Sequence, residues 1–207
     1  MYADKSVVQF MEELSSGSPT PGGGSAAALS GALGAALVCM VCNLTIGREK
    51  YREAEPEMRE MLARAEGLRR ELLGHIDADI AAYGRLAAAM KLPRATDGEK
   101  ARRTAAVQEA LVAATRVPLE IARLCTEVMD LCRPAAENGN VNAVSDAGVG
   151  VAVAEAGLRS AALNVQINLG SIKDAAFAAE VKQTLAGYLD GRDAMKEEVL
   201  RLVESKL

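Results

Sequence analysis

The amino-acid sequence predicts an all-α protein, a helical bundle in which long antiparallel helices surround a buried helix rich in alanine and glycine. The composition favours helix, because alanine is the most frequent residue, aromatic residues make up 3% of the chain and tryptophan is absent. Residues 57–90 repeat apolar side chains at helical spacing, and residues 25–47 carry no charge. We expect a single domain over residues 1–207, since a chain of this length can bury a core without disulfides.

Apolar periodicity, capping residues and turn residues together predict seven helices. They cover residues 5–14, 25–47, 57–90, 98–137, 145–169, 174–189 and 193–205. We expect Thr20 to cap the second helix, with Pro21 in its first turn, and Ser145 to cap the fifth. Pro118 predicts a kink in the fourth helix.

The charge-free segment is long enough to cross a membrane. It consists mainly of small residues and lacks an aromatic belt, so we favour a helix in the middle of a bundle and expect no membrane contact. We see no secretory signal, because Asp4, Glu12 and Glu13 leave the N-terminal stretch without an uninterrupted apolar run. We therefore expect a cytoplasmic protein.

Net charge and cysteine spacing argue against a nucleic-acid-binding protein and against a disulfide or metal site. A formal charge of −4 leaves no basic surplus for a phosphate backbone, so we expect no nucleic-acid partner. Cys125 and Cys132 lie two turns apart on one predicted helix, too far for a disulfide or a shared metal ion. Cys39 and Cys42 sit in an apolar run without the turn of a zinc knuckle. We expect four reduced, buried thiols and no metal, with a structural metal site as the alternative.

Asp79 is the main candidate for chemistry. It is the one carboxylate on the apolar face of the helix predicted at residues 57–90, where burial would raise its pKa and suit it to general acid or base catalysis. The alternative is a structural aspartate bonded to a neighbouring helix. Tyr83 lies one turn further on, so its hydroxyl could orient Asp79 or a ligand, or simply pack in the core. Asp77 points away from this face and is assigned to solvent.

A glycine-rich stretch, Gly22, Gly23, Gly24 and Ser25, precedes the charge-free helix. Free backbone N–H groups and the positive end of a helix dipole favour an anionic or electron-rich ligand group there. The stretch lacks the G-K-[ST] ending and the preceding strand of a phosphate loop. A tightly packed or flexible turn is the alternative interpretation.

Further polar residues fall on helix faces that we expect to point inward. They are Asn43, which shares a side with Ser25, and Asp146, Asn164 and Asn168. Ligand contacts and hydrogen bonds between helices would satisfy these groups equally well. Arg48, Lys50 and Lys173 follow helix ends. Each is either a C-terminal cation or a group that could bind a ligand carboxylate.

Three stretches of sequence carry a family likeness. Residues 18–51 read SPTPGGGSAAALSGALGAALVCMVCNLTIGREKY, residues 79–93 read DIAAYGRLAAAMKLP, and residues 139–174 read GNVNAVSDAGVGVAVAEAGLRSAALNVQINLGSIKD. Together with their spacing, they resemble the cyclodeaminase/cyclohydrolase family of folate one-carbon enzymes. The likeness covers nearly the whole chain, and the pairing of PTPGGGS with NLTIG is specific.

The resemblance implies an all-helical homodimer, a folate site at or near the subunit interface, and no metal or organic cofactor. Two activities occur in the family. Cyclodeaminases close 5-formiminotetrahydrofolate to 5,10-methenyltetrahydrofolate with loss of ammonia, and cyclohydrolases open the methenyl form to 10-formyltetrahydrofolate. A chain without a formiminotransferase domain looks more like the cyclohydrolases, so we expect that activity, with cyclodeaminase as the alternative and a non-catalytic folate-binding protein as the distant one.

The helix face on which each candidate residue lies, and its charge, suggest a role for it in the folate reaction. We expect Asp79 to serve as base and as the negative group near the cationic ring, with Tyr83 or a water molecule assisting the departing nitrogen. Amides would hold the pterin, the glycine-rich stretch would close over the ligand, and a cation would bind the glutamate tail. The candidate substrate-binding residues are Gly22, Gly23, Gly24, Ser25, Asn43, Lys50, Asp146, Asn164 and Asn168.

Overall fold

The computed structural model describes residues 2–207 and confirms an all-α fold, with seven α-helices and no β-strand in that range. The helices are α1 (Val7–Leu14), α2 (Gly23–Thr45), α3 (Glu55–Met90), α4 (Asp97–Asn138), α5 (Val144–Leu169), α6 (Ala175–Leu189) and α7 (Arg192–Glu204). Each predicted helix is therefore present, and the differences are confined to the ends.

Four long helices form the body of the protein. Along the chain α2, α3, α4 and α5 alternate in direction and pack around one hydrophobic core, in which α2 also contacts α4 across the bundle. α6 and α7 cover the outer side of α4 and α5, and the short 3-10 turn Tyr2–Asp4 packs on α3. This leaves the side formed by α2 and α5 uncovered.

Two predicted helix caps are wrong. The carbonyl of Gly22 accepts the first bond of α2 from the N–H of Ala26, so the helix starts after Gly22 and Thr20 lies outside it. α5 continues directly from a 3-10 turn, Val141–Ala143, which places Ser145 inside the helix, where its hydroxyl cannot cap. α4 runs unbroken through Pro118, at the position where a kink was predicted.

Small residues let α2 approach its neighbours closely. A Cβ on Gly34 would lie 2.9 Å from the carbonyl oxygen of Gly150, and one on Gly157 would lie 3.0 Å from the carbonyl oxygen of Ala27. These contacts show that α2 and α5 run antiparallel with their backbones nearly touching. The helix meets the length and hydropathy of a membrane span, but 61% of that apolar stretch is buried inside the protein.

The four cysteines behave as predicted. All are free and buried. Burial raises the pKa of Cys42 and of Cys125 to about 12, so neither thiol ionises near neutral pH.

Gly34→Ala should lower the free energy of unfolding by about 1–3 kcal/mol, because the new methyl group meets backbone that cannot move aside. Gly67→Ala is the matched control: it lies inside α3 with no atom within 4 Å of the added Cβ, so higher helix propensity should stabilise the protein by up to ~1 kcal/mol. Urea unfolding of the two variants measures both effects. Equal stability changes would contradict the close approach of α2 and α5.

Candidate active site

A cleft of about 280 Å³ opens where the N-terminal end of α2 meets α3, α4 and α5. The glycine-rich stretch forms one wall, Asp79 and Tyr83 on α3 form the second, and Asn164 and Asn168 on α5 form the third. Asp79 is the only charged side chain in its lining. The cleft therefore gathers most of the predicted site residues around a single carboxylate.

Asp79 is held by the first turn of α2. The hydroxyl of Ser25 donates a hydrogen bond of 2.8 Å to Asp79 Oδ2. A Cβ on Gly24 would collide with the Asp79 carboxylate, so only glycine permits this approach. The anion that faces this helix N-terminus is thus the protein's own aspartate, where the sequence suggested a ligand group.

Burial dominates the electrostatics of Asp79. It raises the pKa of the carboxyl above its ordinary value of 3.8, while hydrogen bonds from the side chain and backbone of Ser25 oppose the rise. The structural alternative is confirmed in part, because Ser25 ties Asp79 to a neighbouring helix. A carboxylate that is desolvated and also lines a cleft is suited to proton transfer.

The two asparagines of α5 occupy the third wall. The side-chain N–H of Asn164 donates to the carbonyl of Ser160, one turn earlier on the same helix, at 2.8 Å. That of Asn168 donates to the carbonyl of Ala114 on α4 at 3.0 Å. The predicted hydrogen bond between helices is thus found for Asn168, and the side chains of both residues still border the cleft.

Tyr83 stands at the mouth of the cleft. Its side chain is 42% exposed, one turn beyond Asp79 on α3. Ile167, which is 74% exposed, borders the same opening from α5. These two exposed side chains offer the flat apolar contact that an aromatic ligand ring needs.

Three predicted site residues lie elsewhere. Asn43 is exposed, and it follows Ser25 by 18 positions on α2, or ~27 Å along the axis. Lys50 is exposed beyond that same end, with its ammonium 5.2 Å from the centre of the Tyr51 ring. Asp146 precedes Asn164 by the same 18 positions on α5. Two residues on the same face of a helix can still lie far apart along its axis. The prediction that Asn43 and Asp146 line the site is wrong for this reason.

Asp77 also differs from the prediction. It is half-buried, and its Oδ1 accepts a hydrogen bond of 2.9 Å from the backbone N–H of Tyr2. The carboxylate thus anchors the N-terminal turn on α3 rather than facing solvent.

Sequence reasoning missed other parts of the cleft. Pro19 and Thr20 extend its rim, and Ala114 contributes a wall through its carbonyl. Pro19 and Thr20 belong to the PTPGGGS stretch of the family likeness, which was the signal that could have found them, whereas nothing in the sequence marks Ala114. Ile167 could have been predicted to border the cleft, because it is a large apolar residue next to Asn168 in a polar stretch of the helix.

Larger cavities lie at other places. One of about 660 Å³ beside Lys50 and Tyr51 is strongly polar and open, and one of about 480 Å³ lies between α5 and α6. Neither contains a buried carboxylate at a helix N-terminus. Within residues 2–207, no group of three or more His, Cys, Asp or Glu side chains could hold a metal ion.

Comparison with known proteins gives a consistent result. Residues 6–187 match the family model described as formiminotransferase-cyclodeaminase. The chain is 51% identical to a methenyltetrahydrofolate cyclohydrolase of Methylorubrum extorquens, over the full length of both. It is 34% identical over 203 residues to a formimidoyltransferase-cyclodeaminase of Rattus norvegicus, of which it spans 38%.

A solved structure is also similar. A formiminotetrahydrofolate cyclodeaminase of Thermotoga maritima superimposes with a TM-score of 0.88 at 27% identity, covering 99% of this chain and 98% of that one. At this identity and coverage, the whole helical arrangement is shared.

Replacing Ser25 with alanine should raise the pKa of Asp79 further, because it removes a hydrogen bond that lowers this pKa. Carbon-13 NMR titration of the Asp79 carboxyl measures the shift directly. Ser30→Ala is the control, since the Ser30 hydroxyl bonds to the carbonyl of Ala26 on the same helix. An Asp79 titration that is the same in Ser25→Ala as in the wild type would contradict the role of Ser25.

Proposed function

Because this chain belongs to the formiminotransferase-cyclodeaminase family, we propose that it hydrolyses 5,10-methenyltetrahydrofolate to 10-formyltetrahydrofolate. The observation that carries the proposal is the cleft with one half-buried carboxylate as its only charge. The methenyl substrate is a cation, with its charge shared between N5 and N10 through the methenyl carbon. The full-length relative with 51% identity is named for this reaction.

The chemistry needs a base close to the methenyl carbon. Water adds to that carbon while Asp79 accepts one of its protons, and a tetrahedral adduct forms. As the bond from carbon to N5 breaks, N5 takes up a proton and the adduct hydroxyl loses its own, which leaves the formyl group on N10. One proton is released overall, so the atoms and charges balance.

Asp79 has two parts in this reaction. It receives the proton from water, and its negative charge stabilises the cationic substrate. Ser25 positions the carboxylate through the 2.8 Å hydrogen bond. Tyr83, at the mouth of the cleft, assists protonation of N5, either directly or through a water molecule.

Binding is divided among the walls of the cleft. Asn164 and Asn168 hold the pterin through polar contacts, and Gly22 to Gly24 supply backbone that packs against its face. The cleft of about 280 Å³ is small for a whole folate, since ligand sites typically measure ~300–1,000 Å³. We place the pterin inside and the remainder of the substrate across the rim.

Cyclodeaminase activity is the second candidate. The solved Thermotoga maritima structure bears that name, and the names of the longer relatives include it. Identity to these proteins is lower than to the cyclohydrolase, at 27% and 34% against 51%. Both reactions need a site that binds the tetrahydrofolate ring system, and their substrates differ in the group attached to N5.

The working state of the protein is also part of the proposal. It acts in the cytoplasm as one domain over residues 1–207, without a metal or organic cofactor, and the tetrahydrofolate derivative is its substrate. A water nucleophile, a carboxylate base and a substrate that is already cationic supply every role in the reaction, so no metal is needed to polarise the carbon.

We propose further that the protein is a homodimer formed through α2 and α5. Large apolar side chains are exposed on this uncovered side, among them Leu33 (52%), Met40 (45%) and Leu163 (66%). Exposed apolar patches of a few hundred Å² mark interfaces between proteins.

Asp79→Asn should lower turnover of methenyltetrahydrofolate at least ~100-fold, the usual scale for loss of a general base. Folate binding should persist, because the amide still fits the cleft and accepts from Ser25. Thermal stability should not fall, since the change removes a partly buried charge that has no cationic partner. Ultraviolet absorbance of the methenyl form follows the reaction against a buffer blank, which corrects for spontaneous hydrolysis.

Asp77→Asn is the matched control, two residues away on α3 and outside the cleft. Turnover by Asp79→Asn equal to that of the wild type would exclude Asp79 as the base. If wild-type protein does not accelerate the reaction, formiminotetrahydrofolate is tested next. Appearance of the same absorbance would then indicate cyclodeaminase, and no change with either compound would indicate a binding protein.

Leu163→Lys should convert the dimer into a monomer, because a charge on the uncovered side cannot be buried in an interface. Sedimentation equilibrium gives the mass of each species. Val8→Lys is the control, as Val8 is 65% exposed on α1, away from α2 and α5. A wild-type protein that sediments as a monomer would refute the dimer.

A further inference from the structure

The C-terminal end of α5 forms one wall of the cleft and stands between two open spaces. Asn164, Ile167 and Asn168 in its last two turns border the cleft of about 280 Å³. On the other side, Gln166 and Leu169 border the cavity of about 480 Å³ between α5 and α6. A helix end with open space beside it opens easily, because few packing contacts oppose local unfolding. The position of this wall therefore depends on the contacts that the helix end makes with the rest of the protein.

Side-chain hydrogen bonds tie this helix end to α4 at two places. At the first, the amide of Asn168 donates to the carbonyl of Ala114 at 3.0 Å. At the second, Gln108 Nε2 donates to the carbonyl oxygen of Ser171 at 3.0 Å, and Gln108 Oε1 accepts from the backbone N–H of Lys173 at 2.7 Å. Gln108 and Ala114 lie six positions apart, or ~9 Å along α4. Two attachments at this separation fix both the position and the tilt of the helix end.

The chemistry of Gln108 suits it to this contact. Ser171 offers a backbone carbonyl, which only accepts a hydrogen bond, and Lys173 offers a backbone N–H, which only donates one. A carboxamide carries a donor and an acceptor side by side, so one glutamine satisfies both groups. Ser171 and Lys173 are exposed in the turn that follows α5. Gln108 is thus the side chain that joins this turn to the body of the protein.

The hydrogen bond to Ala114 also decides what Asn168 offers to a ligand. Since a carbonyl oxygen only accepts, the atom of Asn168 that faces it is the amide nitrogen. The same argument applies to Asn164, whose amide nitrogen donates to the carbonyl of Ser160. Within residues 2–207, the amide oxygens of both asparagines have no donor partner. They can therefore accept hydrogen bonds from N–H groups of a ligand in the cleft.

A pterin presents such N–H groups on one edge. Its 2-amino group and its N3–H are donors, and both belong to the ring that does not carry N5. Two amide oxygens on one wall of the cleft are complementary to this edge, as the carboxylate of Asp79 is to the cationic methenyl carbon.

We propose that Gln108 is a positioning residue for substrate binding: it holds the end of α5 so that the amide oxygen of Asn168 accepts from the N–H edge of the pterin. Gln108 lies outside the lining of the cleft and acts through the turn after α5, since Ser171 follows Asn168 by three positions. The inference rests on the proposed function for the identity of the ligand, while the contact between Gln108 and the turn stands on the structure alone.

Gln108→Met should raise the KM for methenyltetrahydrofolate about tenfold, because methionine keeps the length of the side chain and removes both hydrogen bonds. The kcat should stay within about twofold of the wild-type value, since the pterin edge is bound equally in the ground state and the transition state. Gln183→Met is the matched control. Gln183 is exposed on α6 and makes no side-chain hydrogen bond within residues 2–207, so its replacement should leave both constants unchanged. An unchanged KM in Gln108→Met would overturn the proposal.

A double-mutant cycle tests whether Gln108 acts through Asn168. Asn168→Ala removes the amide and should raise the KM at least as much as Gln108→Met does. The double variant Gln108→Met/Asn168→Ala should have the KM of Asn168→Ala alone, since no amide remains to be positioned. A general structural role for Gln108 would instead multiply the two effects on KM, and that result would contradict the proposal.

Hydrogen exchange tests the contact without a substrate. The backbone N–H of Lys173 donates to Gln108, so Gln108→Met should make its exchange with solvent at least ~5-fold faster. Nitrogen-15 NMR of the labelled protein resolves this single amide, and Gln183→Met should exchange at the wild-type rate. Exchange at the wild-type rate in Gln108→Met would overturn the proposal.

These measurements separate the role of Gln108 from the function on which it rests. If the wild type turns over neither substrate, the proposed function fails, while hydrogen exchange still reports on the contact. Binding of 5-formyltetrahydrofolate, measured by calorimetry, then replaces KM as the readout. Weaker binding by Gln108→Met than by Gln183→Met would support the proposal, and equal binding by the two variants would overturn it.

Discussion

The approach of Asp79 to the first turn of α2 is the contact on which the site depends. It requires glycine at position 24, because any Cβ there would occupy the place of the carboxylate. It also requires α2 to lie deep in the bundle, which the small side chains at Gly34 and Gly157 permit. The same close packing of small residues thus accounts for the alanine-rich composition of α2 and for the position of Asp79.

The spacing of apolar residues and the turn residues predicted the helices well, because both can be read from a short segment of the chain. The ends were less certain: the predicted caps at Thr20 and Ser145 fail where a glycine or a 3-10 turn begins the helix instead. Asp79, a charge on an apolar face, was the strongest signal for the site, and the structure places it in the cleft.

The sequence does not show how far along its helix a residue lies relative to residues on the other helices. Asn43 shares a face with Ser25, and Asp146 shares one with Asn164, but each pair is separated by 18 residues.

The half-buried charge of Asp79 affects the stability of the protein and, in the proposed reaction, substrate binding. Its pKa is raised in the folded protein, so above pH 3.8 ionisation costs folding free energy, and the cost grows until the pH passes the folded pKa. Within residues 2–207, no lysine or arginine forms a salt bridge with this carboxylate to offset the cost. In the proposed reaction a cationic substrate offsets this cost, because its positive charge lies beside the carboxylate. The hydrolysed product is neutral at that carbon and loses this attraction, so the same buried charge that draws the substrate in also favours release of the product.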